Sequence, residues 1–103
     1  MPQDQVLDYS FLEERQVELY STKTCPDCSR LSQLLRIRKV EFTKVMVDED
    51  EVALRELEKG AGKRAVPYIR VEGKHWVRGY HAAESGRLSE PLLITELRAA
   101  LGE

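Results

Sequence analysis

At 103 residues the chain has room for one hydrophobic core and one domain. With 42% hydrophobic and 33% charged residues it falls outside the disordered and membrane-spanning classes, and no apolar run approaches the ~20 residues that a spanning helix requires. A formal net charge of −2 argues against a nucleic-acid or anionic-membrane partner, and Met1-Pro2-Gln3-Asp4-Gln5 has no basic stretch leading into an apolar one, so a cytoplasmic protein without a signal peptide is expected.

Residues 8–15 mix apolar and charged positions and are read as a short leading helix in an N-terminal extension, residues 1–15, ahead of a domain spanning residues 16–103. The β-prone run 17–21 predicts a first strand. Cys25-Pro26 opens a helix, because proline at the first helical position lacks only an N–H that would be unpaired there. Leu31, Leu34 and Leu35, at i, i+3 and i+4, give that helix one buried face. Residues 40–47 alternate and predict a second strand. Asp48 followed by Glu51 is a capping-box pattern for a helix ending near Gly60, with Leu54, Leu57 and Val52 or Ala53 toward the core. After a loop over 60–65, strands over 68–71 and 75–77 are joined across Glu72-Gly73-Lys74. Gly79 precedes a short helical stretch, and Ser89 and Pro91 start a last helix carrying Leu93, Ile94, Leu97 and Leu101. The order β-α-β-α-β-β-α implies an α/β fold, a four-stranded mixed sheet with helices on both faces.

Two cysteines cannot build a disulfide scaffold, and a close pair points to redox chemistry or metal binding. Cys25-Pro26-Asp27-Cys28 follows a strand and opens a helix, so the two sulfurs share one helix face within bonding reach. Cys25 lies where free N–H groups and the helix dipole favour a thiolate, and Cys28 lies one turn in, suited to resolve a mixed disulfide. Asp27 either acts against Cys25 or is simply a first-turn acid that favours the helix: a carboxylate about 7 Å from a thiolate costs roughly 0.5–2 kcal/mol. The helix N-terminus returns about 0.3–1 kcal/mol, up to ~2. The alternative is half of a zinc site. Zinc needs three or four protein ligands, and the remaining candidates, His75 and His81, stand far along the chain. An iron–sulfur cluster bridging two chains and a redox-inert adaptor are further alternatives.

With the cysteines placed, the chain resembles the glutaredoxin branch of the thioredoxin-like fold over about residues 16–101. The resemblance is carried by the strand and loop leading into Cys25-Pro26-Asp27-Cys28, by Arg64-Ala65-Val66-Pro67, by Gly79-Tyr80 and by Leu88-Ser89-Glu90-Pro91-Leu92-Leu93. It implies a thiol–disulfide oxidoreductase acting on disulfide-containing proteins, with no bound cofactor. Its electrons would come from glutathione or, as in glutaredoxin-like redoxins, from thioredoxin reductase. The resemblance further implies a cis Val66–Pro67 bond facing the cysteines and a Val66 backbone free to pair with substrate. Lys23, Asp27, Arg64, Val66, Pro67, Gly79 and Tyr80 are its substrate-binding candidates. Lys23 would assist the thiolate or pair with Asp27, and Lys63 and Arg64 would meet an anionic substrate.

Four positions depart from the family pattern. Asp27 replaces a frequent aromatic, and Thr22 stands where a lysine is usual, with Lys23 one residue nearer the cysteine. Ala65 replaces a threonine, and His81-Ala82 occupy the place of the acid that holds the glutathione amino group. Arg36, Arg38 and Lys39 read as a solvated helix end, and His75 and His81 as surface residues, His81 near the cysteines. Trp76 reads as a half-buried hairpin residue.

Overall fold

The computed structural model describes residues 9–82 and 87–102. Four strands, β1 (Val17–Ser21), β2 (Thr43–Met46), β3 (Tyr68–Val71) and β4 (His75–Arg78), form one sheet in the order β2-β1-β3-β4. β1 runs parallel to β2 and antiparallel to β3, and β3 and β4 form the hairpin expected across Glu72-Gly73-Lys74. Among the described residues three α-helices complete the fold: α1 (Pro26–Ile37), α2 (Glu51–Ala61) and α3 (Glu90–Ala100). No helix among the described residues is long and apolar enough to cross a membrane.

Strand alternation sorts the side chains into two layers. Val17, Leu19, Ile69, Val71 and Val77 face Leu31 and Leu35 of α1 and Leu93, Ile94 and Leu97 of α3. Tyr20, Tyr68 and Trp76 face Ala53 and Leu57 of α2 on the other side. The mixed sheet with helices on both faces is therefore present. A charged row crosses the α2 face, where Arg70 donates to Glu18 at 2.7 Å and lies 5.3 Å from both the Tyr20 and Trp76 rings. Trp76 is the half-buried hairpin residue expected, and it packs so closely on Gly60 that a Cβ there would overlap the indole.

Several boundaries differ from the sequence reading. The leading helix shrinks to a 3-10 turn, Ser10–Leu12, because Glu13 turns extended and Glu14 takes a positive φ of 64°. Asp8 lies outside the described residues. The second strand begins only at Thr43: Lys39 closes α1 at φ 61°, and the Val40 N–H donates back to Leu35, so residues 40–42 do not pair with β1. Asp50, not Asp48, caps α2, its Oδ1 accepting from Val52 and Ala53 N–H at 3.0 and 3.2 Å. The same helix ends at Ala61, near Gly60 as expected, and is capped by Gly62, whose φ of 81° suits a residue without Cβ. Ala53 and Leu57 are its buried residues, whereas Val52 is exposed. Leu101 caps α3 rather than belonging to it. The helical stretch expected after Gly79 lies largely in residues 83–86, outside the described residues.

The N-terminal turn is tied to the domain. Tyr9 and Leu12 are buried in the α1–α3 layer, and the Tyr9 hydroxyl donates to Glu90 at 2.7 Å. Arg38 is not simply solvated: it holds the same carboxylate with two bonds of 2.7 and 2.9 Å.

Candidate active site

The redox candidates sit where β1 feeds α1. Ser21 ends β1, three residues form the loop, and Cys25 becomes the helix N-cap with extended backbone angles of −102° and 105°. Its Sγ accepts the Cys28 N–H at 3.0 Å, one of the orphan donors of the first turn. Cys25 is half-buried and Cys28 is 1% exposed. Their Cα atoms lie 5.2 Å apart and their sulfurs pair as a disulfide. The outer, reachable sulfur is thus Cys25, and the helix interior shields Cys28.

Asp27 is the acid of the first turn, and Arg30 donates to its Oδ1 at 2.9 Å. Lys23 does not pair with Asp27. Its ammonium lies 2.6 Å from Glu49, whose hydrogen bond and charge raise the lysine above its ordinary pKa, and its backbone N–H donates to Asp48 at 3.0 Å. The reason is packing: the turn after β2 lies beside the loop before Cys25 and presents two acids to it. Asp48 thereby serves that loop rather than the start of α2.

Val66–Pro67 is a cis peptide, with Pro67 buried ahead of β3. The Pro67 carbonyl accepts the Gly79 N–H at 3.0 Å. A Cβ on Gly79 would stand 3.4 Å from Pro67 Cγ and overlap Leu31, which lies one turn beyond Cys28. Gly79 is thus the close-approach point joining the proline loop to α1. Val66 lines a groove of about 240 Å³ with Thr22, Val47, Leu54, Ala65 and Arg64. Arg64 is paired with Glu58 and largely exposed.

Tyr80 belongs to a stack: the Arg78 guanidinium lies 5.5 Å from the Tyr68 ring and 5.1 Å from that of Tyr80. His81, expected on the surface, has a side chain only 9% exposed. Its Nδ1 accepts the Ser89 N–H at 3.2 Å, so the other nitrogen carries the proton, and that Nε2 lies 3.1 Å from Glu96. The imidazole is committed to α3. Among the described residues no group of three or more His, Cys, Asp and Glu is placed to hold a metal ion.

The structure thus brings Thr22, Arg64 and Val66 to one groove, and Pro67 and Gly79 to one contact. It turns Lys23 toward Glu49 and His81 toward α3. Sequence reasoning missed Arg30, Glu49 and Arg78. Arg30 was readable from its i, i+3 spacing to Asp27. Glu49 and Arg78 carried no local signal.

Comparison with known proteins agrees with this architecture. The family model described as Glutaredoxin matches residues 17–76. A glutaredoxin-like 8.6 kDa protein in the rubredoxin operon of Clostridium pasteurianum is 31% identical over 74 residues, covering 72% of this chain and 97% of that protein. Glutaredoxin 3 of Escherichia coli strain K12 is 34% identical over 59 residues, 57% of this chain and 71% of that one. The crystal structure of a glutaredoxin from Archaeoglobus fulgidus superposes with a TM-score of 0.62 at 23% identity, covering 88% of this chain and 95% of that one, a likeness of thioredoxin-like fold. The matched segment contains both cysteines and the proline loop, and on that ground the chain belongs to the glutaredoxin family and is a thiol–disulfide oxidoreductase.

Proposed function

We propose that the chain reduces disulfides in protein substrates through Cys25 as nucleophile and Cys28 as resolving thiol. The observation that carries this reading is the asymmetry of the pair: Cys25 is half-buried at the N-cap, and Cys28 is 1% exposed within the first turn. The Cys25 thiolate attacks one sulfur of the substrate disulfide, and the other sulfur leaves as a thiolate that takes up a proton. Cys28 then loses its proton and attacks Cys25 Sγ in the mixed disulfide, expelling the second substrate thiolate. Two electrons and two protons pass to the substrate, and the Cys25–Cys28 disulfide remains. The Cys28 N–H that already points at Cys25 Sγ is placed to stabilise the thiolate before attack. Val66 would offer backbone to the substrate chain beside the groove, and a reducing compartment such as the cytoplasm suits the cycle.

An external reductant must restore the dithiol. Glutathione is one source and thioredoxin reductase the other; exposed Lys63 is a cation open to the first, whereas the three positions next to the cysteines and on the groove favour the second. Thr22 contributes no cation, Lys23 is held by Glu49, and Arg64 is held by Glu58. An anionic tripeptide has to compete with those acids. The test is insulin reduction coupled to NADPH oxidation, with glutathione plus glutathione reductase in one cuvette and thioredoxin reductase in another. Turnover in either supports the disulfide-reductase reading, and faster turnover with thioredoxin reductase supports the redoxin reading. No turnover in both, from protein whose dithiol is titratable, overturns the first.

A further inference from the structure

We propose that Arg30 is a positioning residue for the redox couple: held on Asp27, its guanidinium balances the carboxylate planted beside Cys25 and so sets how readily Cys25 ionises. The inference rests on the reading of Cys25 as nucleophile.

Cys25 is the N-cap of α1 and Asp27 its second residue. A thiolate and a carboxylate there compete for the same free N–H groups and the same positive end of the helix dipole, and they repel one another. Asp27 retains only 18% of its side-chain exposure, so solvent screens it incompletely. Arg30 stands three residues on. Helical side chains lean toward the N-terminus, and this one reaches back one turn to place Nη1 2.9 Å from Asp27 Oδ1. A cation in the opening turns runs against the helix dipole. Its placement is supported by the Asp27 carboxylate it holds.

Two cations near the loop are engaged elsewhere, Lys23 with Glu49 and Arg64 with Glu58, and the His81 imidazole is turned to Ser89 and Glu96. Asp27 thus has its ion pair with Arg30, and the carboxylate two residues on from Cys25 is countered rather than bare.

The experiment follows the rate of Cys25 alkylation by iodoacetamide against pH, with the labelled peptide identified by mass spectrometry. The dithiol–disulfide equilibrium against dithiothreitol is measured in parallel. Arg30→Ala leaves Asp27 uncompensated. The alkylation midpoint should move to higher pH by roughly 0.3–1 unit, and the equilibrium should move toward the disulfide by about two- to tenfold. Arg30→Lys should restore most of both, and in an Asp27→Asn background Arg30→Ala should have a smaller effect. Arg30→Gln repeats the charge loss in a longer side chain, should the alanine variant fold poorly. An unchanged midpoint in Arg30→Ala and Arg30→Gln overturns the proposal. So does an equal shift in both backgrounds, which would mean that Arg30 acts without Asp27. Preferential labelling of Cys28 in the unmutated protein would instead overturn the assignment of the nucleophile, an outcome the peptide map separates from the other two.

Discussion

The hydroxyl of Tyr9 donates to Glu90 Oε2 at 2.7 Å, joining residues 81 positions apart. Arg38 brings two more donors to the same carboxylate, so the first turn of α3, the end of α1 and the N-terminal turn meet on one side chain. Burial pushes the Glu90 carboxyl up, but the hydrogen bonds from Arg38 and Tyr9 and the arginine's charge outweigh it and hold the group below its usual 4.5. Burial, and then the same contact, raise Tyr9 above the usual tyrosine value. A carboxyl lowered in the folded state contributes stability that is complete above its unfolded value and lost as pH falls through the folded one. Glu90→Gln should therefore cost about 1–2 kcal/mol at pH 7. The gap to the unmutated protein should narrow as pH falls below 4.5, through the lowered folded value. Urea unfolding at pH 7 and pH 3 measures both, and an equal gap at the two values would show that the charge is irrelevant.

The cysteines should divide their labour. Cys25→Ser should abolish insulin reduction, because the outer sulfur is the one a substrate reaches. Cys28→Ser should retain attack but not release, and accumulate a mixed disulfide through Cys25. Intact-mass measurement after incubation with an oxidised peptide reads the adduct. An adduct on Cys28 in the Cys25→Ser protein, formed at a comparable rate, would reverse the assignment.

Gly79→Ala tests the joint between α1 and the proline loop. The new methyl must displace Leu31, which is fully buried, with Pro67 Cγ behind it at 3.4 Å. Overpacking of this kind costs about 1–3 kcal/mol. Combined with Leu31→Ala, which opens the space, the two losses should be less than additive. Strict additivity in denaturant unfolding would show that the two residues do not compete for that volume.

Glutathione use should improve when an acid is supplied. Ala82 is exposed and follows His81, whose imidazole is occupied by Ser89 and Glu96. Ala82→Asp should lower the KM for glutathione by about tenfold, the worth of one charge-assisted hydrogen bond, while leaving turnover with thioredoxin reductase unchanged. His81→Asp should not match it, because it also removes the contacts to α3. Rapid turnover of the unmutated protein at micromolar glutathione would contradict the premise.

Much of the fold was legible because its causes are local. Val17 and Leu19 alternate with Glu18 and Tyr20, and that period of two decided which faces of β1 meet α1 and α2. Cys25-Pro26 and Ser89-Glu90-Pro91 mark helix starts through capping and a missing N–H, which depend on a few neighbouring residues. The Cys25–Cys28 pairing follows from one helical turn. What sequence alone could not decide were the partners of charges. With 18 acidic and 16 basic residues, every cation has many possible acids, and their energies differ by less than local patterns can resolve. Only the packing of the turn after β2 against the cysteine loop directed Lys23 to Glu49 and Asp48 to a backbone N–H, leaving Asp50 to cap α2. Only the crossing of α1 and α3 brought Arg38 to Glu90, 52 residues away, because such a bond exists once distant segments have been placed within 3 Å by the burial of their apolar faces.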